Sequence, residues 1–265
     1  MFQTIDLKQK GSVWFLTLNR PEKRNAMDDV MMDEFVEVLR QAETEEARVL
    51  VISGAGNAFC AGADLNWMRK MKDYSLEENE ADSGRLATLY RALRTARPVT
   101  LAVVNGPAIG GAVGIVAACD IALAVKDASF SFGEVHLGII PAVIGPYIVE
   151  KTGLSVSRYY MLTGERFDAV RAKEIGLVHK VFDSVEALKT GRDKVLAELL
   201  SGGITSQRKI KHLLDYIVSP PSPELEKLTV RLIAAARVSD EGQEGIQAFF
   251  EKRSPSWSED YHGDD

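Results

Sequence analysis

Three short apolar runs, each closed by glycine or other small residues, constrain this chain more than any other feature. Arg48–Ser53 (RVLVIS) ends at Gly54 and Gly56, Val99–Val104 (VTLAVV) runs into a glycine-rich turn, and Ile121–Val125 (IALAV) follows shortly after. Runs of this length, rich in β-branched residues and bounded by turn residues, read as buried strands. The intervals carry helical spacing. Val30, Met31, Phe35, Val38 and Leu39 recur on one helix face behind Asp28, which is placed as its N-cap, and Leu86–Ala96 is helical up to Pro98. Strands alternating with helices imply right-handed βα crossovers and an α/β fold. The first residues add a hairpin, Thr4–Lys10 with Ser12–Leu18, turning at Lys10-Gly11.

Beyond Asp183 the strand signal stops. Val185–Leu199, Ser206–Ile217, Pro223–Ala236 and Gly242–Lys252 are helical by periodicity, so the chain divides into an α/β body, residues 1–200, and an all-helical region, residues 201–265. Leu213, Leu214, Ile217, Leu225, Leu228, Leu232 and Ile233 give that region more apolar surface than a monomer should cover, which leads us to expect a homotrimer or a dimer of trimers. With 32 basic against 38 acidic residues the net charge is −6, lacking the basic footprint of a nucleic-acid binder. Cys60 and Cys119 cannot build a disulfide framework and have no zinc-ligand spacing around them, so no metal is expected. The apolar stretch around Ala112–Ala118 is far short of a membrane span, and the first twenty residues lack the apolar core of a signal peptide. A cytoplasmic protein without membrane partners is the expectation.

Three segments carry possible chemistry: Asn57–Asp64 (NAFCAGAD) after the first run, Asn105–Gly114 (NGPAIGGAVG) after the second, and Phe132–Pro141 (FGEVHLGIIP) after the third. The first two place small residues where parallel strands exit, which is where open α/β sheets bind ligands. Gly110 and Gly111 open a helix whose free N–H groups and dipole favour developing negative charge. One amide from each turn would make an oxyanion hole, in which loss of a donor typically costs about 10²–10³ in rate. The glycine spacing matches neither a dinucleotide fingerprint nor a P-loop.

Taken together, AFCAGADL (Ala58–Leu65), NGPAIGGAVGIVAACDIALA (Asn105–Ala124) and SFGEVHLGIIPA (Ser131–Ala142) resemble the crotonase, or enoyl-CoA hydratase/isomerase, superfamily. LNRPEKRNAM (Leu18–Met27), LTGERFDAVRAKEIGLVHKV (Leu162–Val181) and EGIQAFFEKRSPSW (Glu244–Trp257) follow the family order, so the resemblance spans almost the whole chain. It implies a spiral of ββα turns with a C-terminal helical region, assembled as trimers or pairs of trimers. It also implies an acyl-CoA thioester as substrate, with coenzyme A as part of the substrate and no separate cofactor. The oxyanion-hole amides fall on Ala63 and Gly111. Coenzyme A contacts fall on Lys23, Arg24, Ala61, Asp64 and Leu65, and on Phe249 and Lys252 in the C-terminal segment. Trp67, with Met68, falls where the acyl pocket is lined.

One departure matters. Typical hydratases of the family carry two glutamates; here the first position is Gly114 and the second is Glu134. Glu134 is therefore the candidate acid–base, and its neighbours Phe132, Val135 and Leu137 should raise its pKa by desolvation. Enoyl-CoA hydration is the expected reaction, of the methylglutaconyl-CoA hydratase type by resemblance at Gly114 and Pro141–Tyr147. Δ3-Δ2-enoyl-CoA isomerisation and non-catalytic acyl-CoA binding stand as alternatives. Asp64 and Asp120 also fit turn anchors, Cys60 and Cys119 fit packing, and His179 reads as structural. His136 would share a face with Glu134 only if their segment were extended.

Overall fold

The computed structural model describes residues 2–201, 207–211, 214, 227, 230, 231, 234, 235 and 237–253. Its main sheet has six strands: β1 (Ile5–Lys10), β2 (Val13–Leu18), β3 (Val49–Gly54), β4 (Val99–Val104), β6 (Ile121–Val125) and β9 (Lys180–Phe182), in the order β1-β2-β3-β4-β6-β9. The β1–β2 hairpin is antiparallel, with Lys10 opposite Val13 and Gly11 at a left-handed φ of 58°; every other pair in this sheet is parallel. All six residues of β4 are buried, as a central strand with two covered faces requires. A second sheet, β5 (Ala108–Ile109), β7 (Ser129–Ser131) and β8 (Phe167–Asp168), is too short to leave a periodic signal.

The helices are α1 (Asp29–Thr44), α2 (Leu65–Met71), α3 (Leu76–Thr95), α4 (Gly111–Ala118), α5 (Gly145–Thr163, broken at Gly153), α6 (Ala169–Glu174), α7 (Val185–Ser201) and, near the end, α8 (Asp240–Glu251). Asp28 caps α1 by accepting from the Met31 amide at 3.0 Å. Met31, Phe35, Val38 and Leu39 face the core; Val30 is only half-buried, and Met32 takes a core place instead. The helix expected over Leu86–Ala96 is twice as long, starting in a capping box made by Ser75 and Glu78. Its first half escapes the apolar pattern because Asn79, Asp82 and Ser83 are polar residues on the buried face. The helices expected over Ser206–Ile217 and Pro223–Ala236 lie largely outside the described residues, as do Leu213, Ile217, Leu225, Leu228, Leu232 and Ile233; Leu214 is half-exposed.

Two asparagines, buried Asn25 and half-buried Asn105, fasten the first candidate turn. Asn25, in left-handed backbone at φ 56°, donates from Nδ2 to the carbonyls of Ala55, Ala58 and Phe59, and accepts from the Arg20 amide. Asn105 donates to Gly54, Gly56 and Ala58 and accepts from the Gly54 amide. Asn25→Ala should cost about 2–4 kcal/mol, because buried carbonyls lose their donor and alanine adopts this φ less readily than asparagine. Chemical denaturation checks it: a loss below about 0.5 kcal/mol would mean the turn holds without this clamp.

Candidate active site

The two glycine-rich turns meet edge to edge. Ile109 N–H donates to the Cys60 carbonyl at 3.1 Å, and the Phe59 and Cys60 amides both donate to the Pro107 carbonyl. Met27 pairs with the first turn from its other side, exchanging bonds with Gly62 and Asp64. The Ala63 and Gly111 amides, between these contacts, have no acceptor among the described residues. Gly111 is the first residue of α4, so its N–H is one of the unsatisfied donors of a helix N-terminus. Tyr90 fixes this turn: its hydroxyl donates to the Gly111 carbonyl at 2.9 Å. Burial pushes the Tyr90 hydroxyl well above its ordinary pKa, which keeps it a donor. Glycine suits position 111, where an added Cβ would stand 2.7 Å from Met27 Cε and 2.8 Å from the Tyr90 hydroxyl and would displace both.

Glu134 lies in a 3-10 helix, Gly133–Leu137, directly after β7. The Gly110 amide donates to the Ser131 carbonyl at 2.8 Å, tying that segment to the start of α4. A Cβ built on Gly110 would stand 3.4 Å from Glu134 Oε1, which places the carboxylate against the glycine turn. The residue as a whole is half-buried, but Oε2 is sealed from solvent and has no hydrogen-bond partner among the described residues. Burial raises the Glu134 carboxyl to about 7, partly opposed by a bond to its own backbone.

All of these groups face one cavity of about 630 Å³, whose walls include Met27, Ala61, Ala63, Leu65, Trp67, Met68, Leu86, Tyr90, Gly111, Glu134, Ile144, Arg237, Ile246 and Phe249. A volume in this range suits a small-molecule site lined mainly by apolar groups with few polar ones. A family model described as Enoyl-CoA hydratase/isomerase matches residues 8–260 of this chain. The chain belongs to this family. An enoyl-CoA hydratase from Shewanella pealeana superimposes with a TM-score of 0.79 at 40% identity, covering 97% of this chain and 96% of that one. An enoyl-CoA hydratase from Mycobacterium avium gives 0.84 at 33% identity, covering 97% and 100%. The bacillaene synthase dehydratase of Bacillus subtilis is 31% identical over 219 residues, 82% of this chain and 84% of that protein.

The expected site residues separate into two groups. Glu134, Ala63, Gly111, Ala61, Leu65, Trp67 and Phe249 all stand at the cavity wall; Lys23, Arg24, Asp64, Gly114 and Lys252 do not. Asp64 has internal partners, as the turn-anchor reading expects. It is buried, caps α2 through the Asn66 amide at 2.8 Å, and pairs with Arg20 at 2.7 Å and Lys23 at 3.0 Å. Although burial opposes its charge, those donors prevail and hold its carboxyl at about 2. Gly114 lies behind the cavity wall. It is buried in α4, and an added Cβ would stand 2.4 Å from Ile144 Cγ2 and 2.9 Å from Tyr90 Cε1. The place of the family's first glutamate is therefore packed shut rather than open to the reacting atoms.

The remaining candidates sort by their surroundings. His136 sits in 3-10 rather than extended backbone, and its ring covers Gly164, where an added Cβ would meet Nε2 at 2.3 Å. Burial lifts both Cys60 and Cys119 to about 12, so neither presents a thiolate. His179 accepts from the Ala122 amide through Nδ1 at 3.1 Å. Asp120 accepts from the Thr100 amide and hydroxyl and from Lys211. No cluster that would hold a metal ion occurs among the described residues, and no helix there is long and apolar enough to cross a membrane.

The sequence pattern did not single out Tyr90, Asp82 or Arg237. Trp67 Nε1 donates to Asp82 Oδ1 at 2.9 Å, and Arg237 Nη1 lies 3.1 Å from Asp82 Oδ2 and 2.9 Å from the Ser83 hydroxyl. The detectable trace was a run of polar residues where α3 should have shown apolar spacing.

Proposed function

We infer that this member of the family hydrates the α,β double bond of an enoyl-CoA thioester, with Glu134 as its acid–base. The observation that carries this reading is the Glu134 carboxyl, its Oε2 sealed and without a partner among the described residues and its pKa near neutrality, beside two amides with no acceptor among those residues. The Ala63 and Gly111 N–H groups would receive the thioester oxygen as negative charge develops on it. Glu134 takes a proton from water as the water oxygen bonds to the β-carbon; the π electrons move onto the thioester oxygen, forming an enolate. The same proton then returns from Glu134 to the α-carbon, so one carboxylate completes the addition. The names of the solved hydratases that the chain resembles support the choice of hydration.

A second reading, Δ3-Δ2-enoyl-CoA isomerisation, is favoured by the filling of the Gly114 site by Ile144 and Tyr90. There Glu134 would move a proton from the α- to the γ-carbon through a dienolate, and no water would add. The two are separated by incubation in ¹⁸O water with crotonyl-CoA, 3-methylglutaconyl-CoA and 3-hexenoyl-CoA. Hydration places ¹⁸O in a 3-hydroxyacyl product; conjugation of 3-hexenoyl-CoA without label uptake would replace it by isomerisation. Methylglutaconyl-CoA as substrate, coenzyme A contacts at Lys23, Arg24, Phe249 and Lys252, assembly into trimers or pairs of trimers, and a cytoplasmic location complete the proposal. Leu154, Tyr159 and Leu162, exposed on the second half of α5, support association between copies.

A further inference from the structure

One polar group interrupts the apolar end of the cavity without serving the reaction just described. Arg237 is 5% exposed, lines the cavity, and holds its guanidinium carbon 5.8 Å from the centre of the Trp67 ring. Asp82 and Ser83 accept from Nη1, and the side chain of Gln243 fixes the Arg237 carbonyl at 2.8 Å. Nε is buried and has no hydrogen-bond partner among the described residues. Asp82, for its part, is occupied at both oxygens, by Trp67 and by Arg237.

A buried ion pair stabilises a fold no better than apolar residues of the same size, so its presence at a cavity wall points toward recognition. An unmet N–H on a buried guanidinium is costly, and an apolar acyl tail laid against it would leave it unmet. An oxygen acceptor would satisfy it. Asp82 and Ser83 precede Tyr90 on α3 by eight and seven residues, roughly 10–12 Å along the helix axis at about 1.5 Å per residue. Tyr90 marks the oxyanion end through its bond to Gly111. Leu86 and Ile246 line the same cavity as Arg237.

The geometry points to Arg237 as a specificity residue that receives a hydrogen-bond-accepting oxygen, a carboxylate or a carbonyl, at the far end of the acyl chain. This rests on the acyl-CoA reading of the cavity but not on whether the reaction is hydration or isomerisation. Asp82, Ser83 and Trp67 act through Arg237 by holding its guanidinium in place.

Calorimetric binding of saturated thioesters, which can undergo neither reaction, tests it. Adipyl-CoA and suberyl-CoA are compared with hexanoyl-CoA and octanoyl-CoA, and the methyl ester of adipyl-CoA supplies an uncharged oxygen. A charge-assisted hydrogen bond predicts that at least one oxygen-bearing thioester binds about tenfold or more tighter than its alkyl counterpart. R237K keeps a cation beside Asp82 but lacks Nε–H and the planar fork, and should reduce that preference to within about twofold. A preference shared by the ester supports a neutral acceptor, and one confined to the diacids supports a carboxylate. Alkyl thioesters binding as tightly as both kinds in the unmodified protein would overturn the inference alone, and so would a preference that survives R237K. Failure of every thioester to bind would overturn the acyl-CoA reading with it. The unmodified protein supplies the first comparison, so the test stands even if R237K does not fold.

Discussion

Replacing Glu134 by glutamine should lower turnover by about 10²–10⁴-fold while leaving acyl-CoA affinity within a few-fold of the original. Glutamine keeps the shape of the side chain and removes only its ability to carry a proton. The other ionisable groups at the cavity wall include Arg166, a cation, and three side chains with contacts of their own. His136 lies over Gly164, the Glu165 carboxylate is held by the Tyr159 hydroxyl, and Arg237 is paired with Asp82. Steady-state kinetics check this, and a turnover near the unmodified level would remove Glu134 from the mechanism. Because its carboxyl sits at about 7, kcat/KM for hydration should climb as pH rises through about 7, where the base ionises, and then level. The variant should lose that limb.

The same substitution should make the protein more stable at alkaline pH. Burial raises the Glu134 pKa from 4.5 to about 7, so the folded state binds this proton more tightly than the unfolded chain. Its contribution is fully present below about 4.5, is lost as pH rises through about 7, and stays lost above. A shift of this size corresponds to a few kcal/mol at most. Denaturation of both proteins across pH 5–9 should therefore show their stabilities diverging upward from about pH 5 in favour of the glutamine variant. Parallel curves would mean the carboxyl is not held in an apolar setting. An inactive protein that is more stable than its parent is the expected signature of a functional group placed against the preference of the fold.

The parts of this fold legible in the sequence are those governed by a repeating pattern. β4 and β6 occupy the residues their apolar runs predict, and Asp28 caps α1, because burial on both faces and capping act within a few residues. The glycine-rich turns were legible for a related reason: Gly111 has Met27 and Tyr90 close to where a Cβ would stand and opens a helix, so its residue type records its surroundings. What stayed hidden depends on contacts distant in sequence. Asp82 and Ser83 look like solvent-facing helix residues until Arg237, about 155 positions away, is brought against them. The bridge of Cys60 to Ala108 is likewise a matter of topology rather than pattern. Gly114 shows the limit most clearly: the sequence shows only that the family's first glutamate is missing there, whereas Ile144 and Tyr90 stand where its side chain would begin.

Gly114→Glu should therefore destabilise the protein and bring no new hydration of crotonyl-CoA. The added Cβ alone would stand 2.4 Å from Ile144 Cγ2, and Ile144 and Tyr90 are buried wall residues of the cavity, so seating the glutamate means displacing them into the site. Overpacking of this kind costs about 1–3 kcal/mol, and a carboxylate forced into apolar surroundings adds to it. Displacing Tyr90 would also pull its hydroxyl from the Gly111 carbonyl and disturb the oxyanion turn, so residual activity should fall as well. Ile144→Ala in the same chain removes Cγ2 and should restore part of the lost stability, with a smaller recovery of activity. The pair is read from thermal unfolding together with turnover on crotonyl-CoA. If Gly114→Glu alone unfolds at the original temperature and hydrates crotonyl-CoA faster, residue 114 opens onto the reacting atoms. The case for a one-carboxylate site would then fall, because a second glutamate could be seated without rebuilding the wall that Ile144 and Tyr90 make.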